Sequence, residues 1–498
     1  MAPRGGQFQT ARTSLTPERG RRSTEMTTRS SGTYPLSSPK TNAVTSLAGW
    51  TALVLAPADA VRMQSATPTV LHQVAGVPMV RLVCDLLREA GCAHIVVVAG
   101  APRAALASVL GEGIEIVDAQ DAAGSANATL RARAATGGDR NVLILRADMP
   151  LISPRTLLEL AGRHLGESRV LTFLTAYLTD PHGFGRIKRR NGLVQGIIQE
   201  RDLTSAMRGQ PEVNAGLYAA DARWLWETLA ALEPNASADS LGDLVSHAVA
   251  GGGVDAYQVT EATEVAQVGD RVQLAHADRV LRDRIRERLM REGVTLMDPA
   301  TIYIDARVQV GGDTVILPGT HLLGVTTIGS GCRIGPNAIV RDMTIADRCE
   351  IGGSTLEGSA IAEAVTVGPY CHVRPGSTIE RDVHLGNYAE VKASRIGERT
   401  AIGHFSYIGD ADVGADVNVG AGSITANYDG ERKHRTVIGD GVKLGSDTIM
   451  VAPVTLGAGS RTGAGAVVVD DVPPGATVIG VPARTRGADA TGEGGHSA

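Results

Sequence analysis

The chain has 498 residues, a nearly balanced charge of 48 basic and 53 acidic residues, and only 3% aromatic residues. This length is more than one hydrophobic core serves, so two or three folding units are expected. The balanced charge provides no electrostatic footprint for nucleic acid or a membrane surface, and no apolar run approaches the ~20 residues of a membrane span.

The N-terminal stretch, residues 1–47, is rich in Ser, Thr, Arg and Gly and carries seven basic and two acidic residues. Such a composition is typical of a disordered extension. It also fits a start codon that has been assigned too early, with Met26 as the actual start. A transit peptide is the alternative. Residues 485–498 are predicted to be a similar disordered tail.

The five cysteines, an odd number, occur without C-x-x-C spacing, and no signal peptide is recognisable. This pattern favours a reducing compartment and gives no indication of structural zinc. We therefore expect a cytoplasmic protein.

Residues 48–270 alternate buried-strand patterns with helical patterns. Apolar runs at Thr51–Ala56, His94–Ala99 and Asn141–Leu145 are typical of buried strands, and Met79–Ala90 fits a helix. The alternation predicts an α/β domain with a mostly parallel, Rossmann-like sheet, in which ligands bind at the carboxyl ends of the strands.

Residues 271–297 are predicted to form a linker helix. This charged stretch places Leu281, Ile285 and Leu289 four residues apart, so that they share one face. Gly293 follows as a stop signal.

Residues 298–484 repeat an aliphatic side chain every six positions, often followed by glycine. Ile316, Leu322, Ile328 and Ile334 hold this register without a break. A period of six is neither the 3.6 of a helix nor the 2 of a strand. It is typical of a parallel β-helix of hexapeptide repeats, in which three repeats make one coil and the aliphatic side chains point inward.

A family resemblance begins in the loop after the first strand. A known enzyme family carries the pattern L-x-x-G-x-G-T-R-M in this loop, then a few residues, then P-K. This chain matches that pattern at Leu55, Arg62, Met63 and Pro68. In these residues the domain resembles nucleotidyltransferases that activate sugar phosphates.

Departures from that pattern fall on the phosphate chemistry. Ala58 and Ala60 replace two glycines whose bare backbone lets amides approach the phosphates. Asp59 stands at a position that is commonly basic, and Thr69 replaces a lysine that pairs with phosphate. Since a charge-assisted bond of that kind is worth about 1.5–3 kcal/mol, the changes imply weaker binding of a nucleoside triphosphate.

The metal ligands of those enzymes are only half represented. Asp148 ends a predicted strand and matches the aspartate that holds the catalytic Mg²⁺, whereas the second ligand, an asparagine, falls on Gly269. Magnesium keeps waters and phosphate oxygens as ligands and needs few protein oxygens. Binding of Mg²⁺ at Asp148 is therefore kept as an alternative. An acid after a strand is also often only a helix cap.

Other parts of the nucleotidyltransferase pattern are kept or weakened. Gly185 and Asn214 match sugar-nucleotide contacts, Gln199 replaces a sugar-binding glutamate, and Gly124–Ala128 is a weakened form of a uridine-binding G-T-G-H-A. Because several losses fall in one site, we expect the uridylyltransferase to be impaired or lost and its fold kept as a scaffold. A working site with compensating residues is the alternative.

The hexapeptide register breaks at Ala421–Thr436, and a loop that leaves a solenoid is where function is usually carried. The surrounding polar motifs and their spacing resemble the acetyltransferase domain of the bacterial bifunctional N-acetylglucosamine-1-phosphate uridylyltransferase/glucosamine-1-phosphate acetyltransferase family. The motifs are GNYAEVK (386–392), GHFSYIGD (403–410), VNVGAGSITANYDG (417–430) and LGSDT (444–448). The resemblance covers roughly residues 50–484. It implies a left-handed β-helix that forms a homotrimer and binds acetyl-CoA between neighbouring subunits.

The resemblance further implies an anion site and a general base. Arg374, Lys392 and Lys433 would hold the sugar phosphate, with Tyr407 alongside; each alone would pass for a solvated surface charge. His404, in a G-H-x-x-Y setting, would take the proton as the substrate amine attacks the thioester, because an imidazole titrates near neutral pH.

Further roles are implied for residues around the base. Glu390 would orient the amine or tune His404, and Asn418 and Asn427 would position the sugar. The backbone amide of Tyr428 would stabilise the oxyanion, a donor role worth about 2.7–4 kcal/mol.

Residues towards the end of the solenoid match acetyl-CoA contacts. Ser446 and Ala464 are such matches, and would act together with Asn427 and Tyr428. Position 481 is valine where some family members carry an arginine near the coenzyme phosphates, and Arg484 is the candidate substitute.

The first function expected is acetyl transfer from acetyl-CoA to glucosamine-1-phosphate, on the route to UDP-N-acetylglucosamine. Alternatives are a fully bifunctional enzyme, which also transfers uridylyl from UTP with Mg²⁺, and a nucleotide-binding regulatory pseudoenzyme domain joined to the acetyltransferase. Acetylation of another amino sugar is a further alternative, since the hexapeptide scaffold serves many acyltransferases.

Overall fold

The computed structural model describes residues 44–57, 61–122, 124–166, 169–232 and 240–485. Ala58, Asp59 and Ala60 lie outside the described residues, as do most of the predicted N-terminal extension (1–43) and the predicted tail from residue 486 onward. Leu47, which the sequence analysis assigns to the extension, is fully buried, and its N–H donates to the carbonyl of Ala90 at 2.8 Å.

The first part of the chain forms a mixed sheet of nine strands and a separate two-stranded hairpin. The strands are β1 (Trp50–Ala56), β2 (Gln73–Val74), β3 (Val77–Pro78), β4 (His94–Ala99), β5 (Glu115–Asp118), β6 (Asn141–Arg146), β7 (Leu171–Tyr177), β8 (Arg186–Arg190), β9 (Leu193–Ile198), β10 (Glu212–Asp221) and β11 (Val254–Gln258). The central order is β11-β7-β10-β6-β1-β4-β5, and β8 pairs with β9 and β10. Most neighbours are parallel, while β10 is antiparallel to β6 and β7.

Helices cover both faces of this sheet. They are α1 (Met79–Glu89), α2 (Arg103–Leu110), α3 (Gly124–Arg131), α4 (Pro154–His164), α5 (Ala222–Leu232) and α6 (Asp243–Ala250). Along β1, Ala52 and Val54 face one core and Leu53 and Leu55 face the other. Burial on both faces explains why this strand is a continuous apolar run.

A long helix, α7 (Arg271–Arg291), follows the α/β domain and begins at Asp270, whose side chain accepts from the N–H of Gln273. Its Ile285 and Leu289 are buried in the core of the first β-helix coils. The chain turns out of α7 at Gly293, where φ is +93°. A left-handed backbone favours glycine, so this position ends the helix.

Contacts also join the β2–β3 hairpin and α7 to the first coil. The N–H of Ala306 donates to the carbonyl of Ala75 at 2.9 Å, and Arg282 donates to the carbonyl of Ile304 at 2.8 Å. Arg282 additionally pairs with the buried carboxylate of Asp305 at 3.1 Å. Backbone and ion-pair contacts therefore attach the α/β domain to the solenoid.

The remainder of the chain is a β-helix of three parallel sheets, with twelve, ten and nine strands. The twelve-stranded sheet ends in an antiparallel pair. Its strands are Thr295–Leu296, Val315–Ile316, Arg333–Ile334, Glu350–Ile351, Thr366–Val367, His384–Leu385, Ala401–Ile402, Asn418–Val419, Lys443–Leu444, Arg461–Thr462, Thr477–Ile479 and Arg484–Thr485.

The ten-stranded sheet carries the candidate residues Glu390, Lys392 and Tyr407. Its strands are Tyr303–Ile304, His321–Leu323, Ile339–Arg341, Thr355–Glu357, His372–Val373, Glu390–Lys392, Tyr407–Gly409, Ile424–Ala426, Ile449–Val451 and Val467–Val468. The nine-stranded sheet completes each coil. Its strands are Gln309–Val310, Thr327–Ile328, Thr344–Ile345, Ala360–Ile361, Thr378–Ile379, Arg395–Ile396, Ala411–Val413, Thr436–Ile438 and Val454–Leu456.

The predicted inward aliphatics stack as one continuous core. Ile334 pairs in register with Ile351, and Val391 with Ile408, and all four are essentially fully buried. Short 3₁₀ helices occur at Thr69–Leu71, Arg133–Thr136, Glu200–Asp202, Ala262–Val265 and Pro299–Thr301. The predicted fold class, an α/β domain followed by a left-handed β-helix of hexapeptide repeats, is confirmed.

The break in the solenoid is shorter than the predicted Ala421–Thr436. Strand Ile424–Ala426 continues the ten-stranded sheet, so only residues 427–435 leave the coil. Thr425 fills the inward position and is 1% exposed. Its hydroxyl accepts from the N–H of Gly409 at 2.8 Å and donates to the same residue's carbonyl at 3.0 Å. A satisfied threonine replaces the expected aliphatic, which is why the sequence period fails early.

No helix among the described residues is long and apolar enough to cross a membrane. All five cysteines are buried and free.

Candidate active site

Stacking of the coils brings together residues that lie 16–18 positions apart in sequence. In the ten-stranded sheet, Glu390 lies opposite Tyr407, and Lys392 lies opposite Gly409. The predicted substrate-binding side chains of these two strands therefore share one outer face.

Arg374 and Glu390 form an ion pair on that face. Arg374 Nη1 donates to Glu390 Oε1 at 3.0 Å, and each side chain is roughly 40% exposed, at 42% and 37%. At this exposure the pair adds little to stability. Its effect is to hold the guanidinium in place beside the adjacent coil.

Asp410 joins the second predicted cation to the loop. Its Oδ2 accepts from Lys392 Nζ at 3.3 Å and from the amide of Asn427, and that amide also reaches Tyr407 Oη at 3.4 Å. Lys392 and Asp410 are each less than one-fifth exposed. Asp410 lies in the motif at 403–410 and has no role predicted from the sequence, but its contacts place it among the candidate site residues.

Lys433 stands against Lys392. A hydrogen bond between the two amino groups raises the pKa of Lys392 and lowers the pKa of Lys433. The positive charge of Lys392 lowers the pKa of Lys433 further, because it disfavours a second ammonium group close by. Among the residues described, Lys433 forms no ion pair with a carboxylate. Two facing amines with one nearby carboxylate, Asp410, are an unneutralised pair that an anion would stabilise.

His404 lies on an exposed turn between strands Ala401–Ile402 and Tyr407–Gly409. Its Nδ1 is hydrogen-bonded to Oδ1 of Asn387, one coil earlier. An amide oxygen only accepts, so in this orientation of Asn387 a neutral His404 donates from Nδ1 and its Nε2 is an acceptor. Asn387 lies within the motif at 386–392, and the sequence predicts no role for it.

The same edge of the β-helix carries the predicted acetyl-CoA contacts Ser446 and Ala464. Backbone hydrogen bonds run up this edge from turn to turn. The bonds are Gly422 N–H to His404 O (3.0 Å), Asp447 N–H to Ala421 O (2.7 Å) and Gly465 N–H to Ser446 O (2.8 Å). Ser446 and Ala464 are exposed. Edge and face together could take a long substrate along several coils.

Two predicted residues lie apart from Arg374, Lys392 and Lys433, which together are called the cation cluster. Asn418 is exposed on the twelve-stranded sheet, where it pairs in register with Ala401 and Lys443. Arg484 is exposed on the last strand of that sheet, antiparallel to Ile479. These side chains sit on a face different from that of Arg374 and Lys392.

The loop at 427–435 is a tight hairpin held by its own polar groups. The carboxylate of Asp429 accepts from the N–H groups of Arg432 (2.7 Å) and Glu431 (2.8 Å), and from His434 Nε2 (2.6 Å). The bonds from Arg432, His434 and Glu431, in that order of effect, hold the pKa of Asp429 well below its usual range. The N–H of Tyr428 has no hydrogen-bond partner within the described part of the chain, and its side chain is 60% exposed.

Gly409 makes room for Tyr407. A Cβ at position 409 would overlap the phenol ring of Tyr407, whose hydroxyl bonds Asn427. Glycine here is a packing requirement rather than a backbone one, since its φ is not in the left-handed region.

The α/β domain contains a cavity of about 1140 Å³ at the carboxyl ends of β1 and β6. Its lining includes Arg62, Thr69, Arg146, Asp148 and Gly269. The predicted metal position and the predicted phosphate position thus face one cavity.

Asp148 is 5% exposed, and both of its carboxylate oxygens accept from Arg146: Oδ1 from Nε at 2.9 Å and Oδ2 from Nη2 at 2.5 Å. Arg62, bound to Asp270, lies beside Gly269. No group of three His, Cys, Asp or Glu suited to a metal occurs among the described residues. As the side chains stand, they do not fit a divalent ion.

The predicted sugar-nucleotide residues do come together. The N–H of Asn214 donates to Gly185 O at 2.9 Å, and a Cβ on Gly185 would lie 3.7 Å from Gln199 Oε1. Gln199 Nε2 donates to Ser240, and the N–H of the following Leu241 donates to Ser125, within the predicted Gly124–Ala128 stretch. Both ends of the Asn214 side chain bond within its own strand, to Tyr218 Oη and Gly216 N.

Comparison with known proteins agrees with this two-part architecture. Residues 52–241 match the family described as MobA-like NTP transferase domain, and residues 307–342 match the family described as bacterial transferase hexapeptide (six repeats). Similar curated proteins include the bifunctional protein GlmU of Trichlorobacter lovleyi, 44% identical over 89% of this chain and 97% of the relative. Those of Halalkalibacterium halodurans (40%; 86% and 95% covered) and Mycolicibacterium gilvum (40%; 86% and 88% covered) are further examples. With identity of this level over nearly the full length of these relatives, the chain belongs to the bifunctional GlmU protein family.

Proposed function

We propose that the chain transfers the acetyl group of acetyl-CoA to the amine of glucosamine-1-phosphate, and that its uridylyltransferase site is impaired or lost. The β-helix would carry the reaction, and the product would be N-acetylglucosamine-1-phosphate, a precursor of UDP-N-acetylglucosamine and cell-wall sugars. A cytoplasmic location goes with this proposal.

The observation that carries the proposal is the cation cluster on the ten-stranded sheet, together with a histidine oriented by Asn387 on the turn that enters the same sheet. Arg374, Lys392 and Lys433 are matched by only two carboxylates, so the cluster keeps a positive charge for a phosphate. Cations and a planar guanidinium are the usual partners of a phosphate dianion. The pyranose would lie between this cluster and His404, with Tyr407 and Asn427 alongside.

The residues then divide the chemistry among them. Acetyl-CoA supplies the acetyl group as a thioester. His404 Nε2 accepts a proton from the amine as the nitrogen bonds to the carbonyl carbon, and the carbon–sulfur bond breaks. The same imidazole returns that proton to the departing sulfur, so that an amide and free coenzyme A are produced. The unpartnered N–H of Tyr428 is available to the carbonyl oxygen as negative charge develops there.

We further propose that the functional unit is a homotrimer. Ser446 and Ala464 line the edge that carries His404, whereas Asn418 and Arg484 lie on another face of the same subunit. A coenzyme site shared between two subunits would use both surfaces. Light scattering of the purified chain tests this: a monomer at micromolar concentration would contradict it.

For the α/β domain, the proposal of impairment is supported by Asp148, whose carboxylate is already paired, and by Gly269, which has no ligand atom in its side chain. Thr69, 4% exposed, places no cation in the cavity. A second function stays in view, because the curated relatives are named bifunctional and match residues on both sides of α7. In that alternative the chain also forms UDP-N-acetylglucosamine from UTP.

One pair of assays tests both parts. Glucosamine-1-phosphate and acetyl-CoA should yield free thiol at an ordinary enzymatic rate, and absence of thiol would refute the acetyltransferase. N-acetylglucosamine-1-phosphate, UTP and Mg²⁺ should yield little pyrophosphate. Pyrophosphate release at a rate comparable to thiol release would establish the bifunctional alternative instead.

A further inference from the structure

The end of strand β6 and the start of α7 meet at the floor of the α/β cavity. The N–H of Val268 donates to the carbonyl of Asp148 at 2.9 Å, so Gly269 lies directly beside Asp148. These are the two positions at which a divalent cation would be held if both carried ligands. The backbone geometry of such a site is therefore present.

Guanidinium groups stand at both positions. Arg146 donates to both oxygens of Asp148, and its own side chain is 35% exposed against 7% for the carboxylate. On the other side, the guanidinium of Arg62 lies 3.1–3.4 Å from where a Cβ on Gly269 would be. Arg62 is itself held by Asp270 at 2.9 Å and Gln273 at 3.2 Å.

We propose that Arg146 occupies the metal position as an internal cation and excludes divalent ions from the α/β cavity. This rests on the proposed impairment of the uridylyltransferase and names its cause. A metal ion needs the lone pairs of Asp148 at short range, and a two-pronged guanidinium bond covers both oxygens. Entry of the ion would require breaking a nearly buried pair against the repulsion of Arg146.

A purely structural ion pair would make a different prediction. If Arg146 only braces the end of β6, supplying a second ligand at position 269 would be enough to create a metal site. If Arg146 is the occupant, the second ligand has little effect until Arg146 is removed. The two roles can thus be separated by combining substitutions.

The experiment measures Mn²⁺ binding through the electron paramagnetic resonance signal of the free ion. Gly269→Asp supplies a second carboxylate, and the position has room because its nearest neighbour is the movable end of Arg62. We expect no specific Mn²⁺ site in the unmodified chain and weak binding in Gly269→Asp. The double variant Arg146→Met/Gly269→Asp should bind one Mn²⁺ at least about tenfold more tightly than Gly269→Asp alone.

Matched variants locate the ion and control for charge. Asp148→Asn in the double variant should abolish binding. Arg140→Met, which removes an Arg–Asp contact (3.9 Å to Asp221) at the opposite end of β6, should not improve Mn²⁺ binding in Gly269→Asp. Should Arg146→Met fold poorly because Asp148 loses its partner, Arg146→Gln keeps a donor for the carboxylate. Folding of each variant is checked by circular dichroism and thermal unfolding.

Two results would overturn the proposal. One is a specific Mn²⁺ site at Asp148 in the unmodified chain, and the other is equal affinity in Gly269→Asp and the double variant. Neither depends on uridylyl transfer. Metal binding by the unmodified chain without pyrophosphate release would refute the role of Arg146 but not the proposed impairment of the uridylyltransferase. Fast pyrophosphate release would refute the impairment itself.

Discussion

His404 and Asn387 are hydrogen-bonded, ring nitrogen to amide oxygen, between successive coils of the β-helix. An amide oxygen only accepts, so this contact favours the tautomer with the proton on Nδ1 and leaves Nε2 for the proposed role of base. The orientation of the proposed base is thus set by a residue 17 positions earlier in the chain.

Replacing Asn387 by Leu should lower kcat for acetyl transfer by about 10-fold or more, with KM for glucosamine-1-phosphate nearly unchanged, because the wrong tautomer becomes accessible. His404→Ala should lower kcat by about 10²-fold or more. In the His404→Ala background, Asn387→Leu should cost nothing further. Asn387→Asp keeps an acceptor and should retain activity; a loss equal to that of Leu would show that Asn387 does not act through the imidazole.

As the pH rises, binding of the sugar phosphate should begin to weaken before the pH reaches 10.5, the ordinary pKa of lysine. Lys392 lowers the pKa of Lys433, so Lys433 becomes neutral earlier than a free lysine as the pH rises, and an attractive charge is lost. Calorimetric titration with N-acetylglucosamine-1-phosphate measures this without interference from a substrate amine. Lys392→Met should weaken binding at neutral pH and shift the alkaline decline upward. An unshifted decline would mean that the two amines do not interact.

Thr425→Val should destabilise the protein, although valine fits the hexapeptide pattern better. The change leaves the buried N–H of Gly409 without its acceptor, which costs about 1–3 kcal/mol in the free energy of unfolding. Thermal and urea unfolding measure the effect. Thr378→Val, at an exposed strand position, is the control and should be close to neutral. Stabilisation by Thr425→Val would refute the inferred role of the hydroxyl.

Gly409→Ala should raise KM for glucosamine-1-phosphate by about 5-fold or more with only a small change in melting temperature. The added methyl group displaces the Tyr407 ring and breaks its contact with Asn427. Gly312→Ala is the matched control, because a Cβ there meets only Glu292 O at 3.6 Å. If both variants keep the normal KM, Tyr407 has no part in holding the sugar.

The solenoid could be predicted from sequence because each inward position repeats at a fixed interval and is filled by an aliphatic. The prediction failed at Thr425, where hydrogen bonds to Gly409 take the place of apolar packing. Strand and helix positions in the α/β domain were also recoverable, since β1 and β4 are buried on both faces. Propensity and periodicity carry that information locally.

Contacts of polar residues could not be predicted in the same way. Asn387 and Asp410 are ordinary polar residues near strand ends, and their partners His404 and Lys392 lie 17 and 18 positions away. Only the register of the coils makes them neighbours. Arg146 is the last residue of the apolar strand β6, and its bond to Asp148 depends on the direction of one flexible side chain. Resemblance supplied the candidate residues, but not these pairings.

The contacts of Ala75, Arg282 and Ile285 with the first coil give the α/β domain and its linker helix a structural part in the solenoid. A β-helix begins with open strand edges that would otherwise recruit further strands and aggregate. Here the hairpin at 73–78 and the long helix close off that end and share its core. Deleting residues 48–270 would therefore remove the hairpin and its backbone bond to Ala306, and would leave α7 alone to cover the strand edges of the first coil.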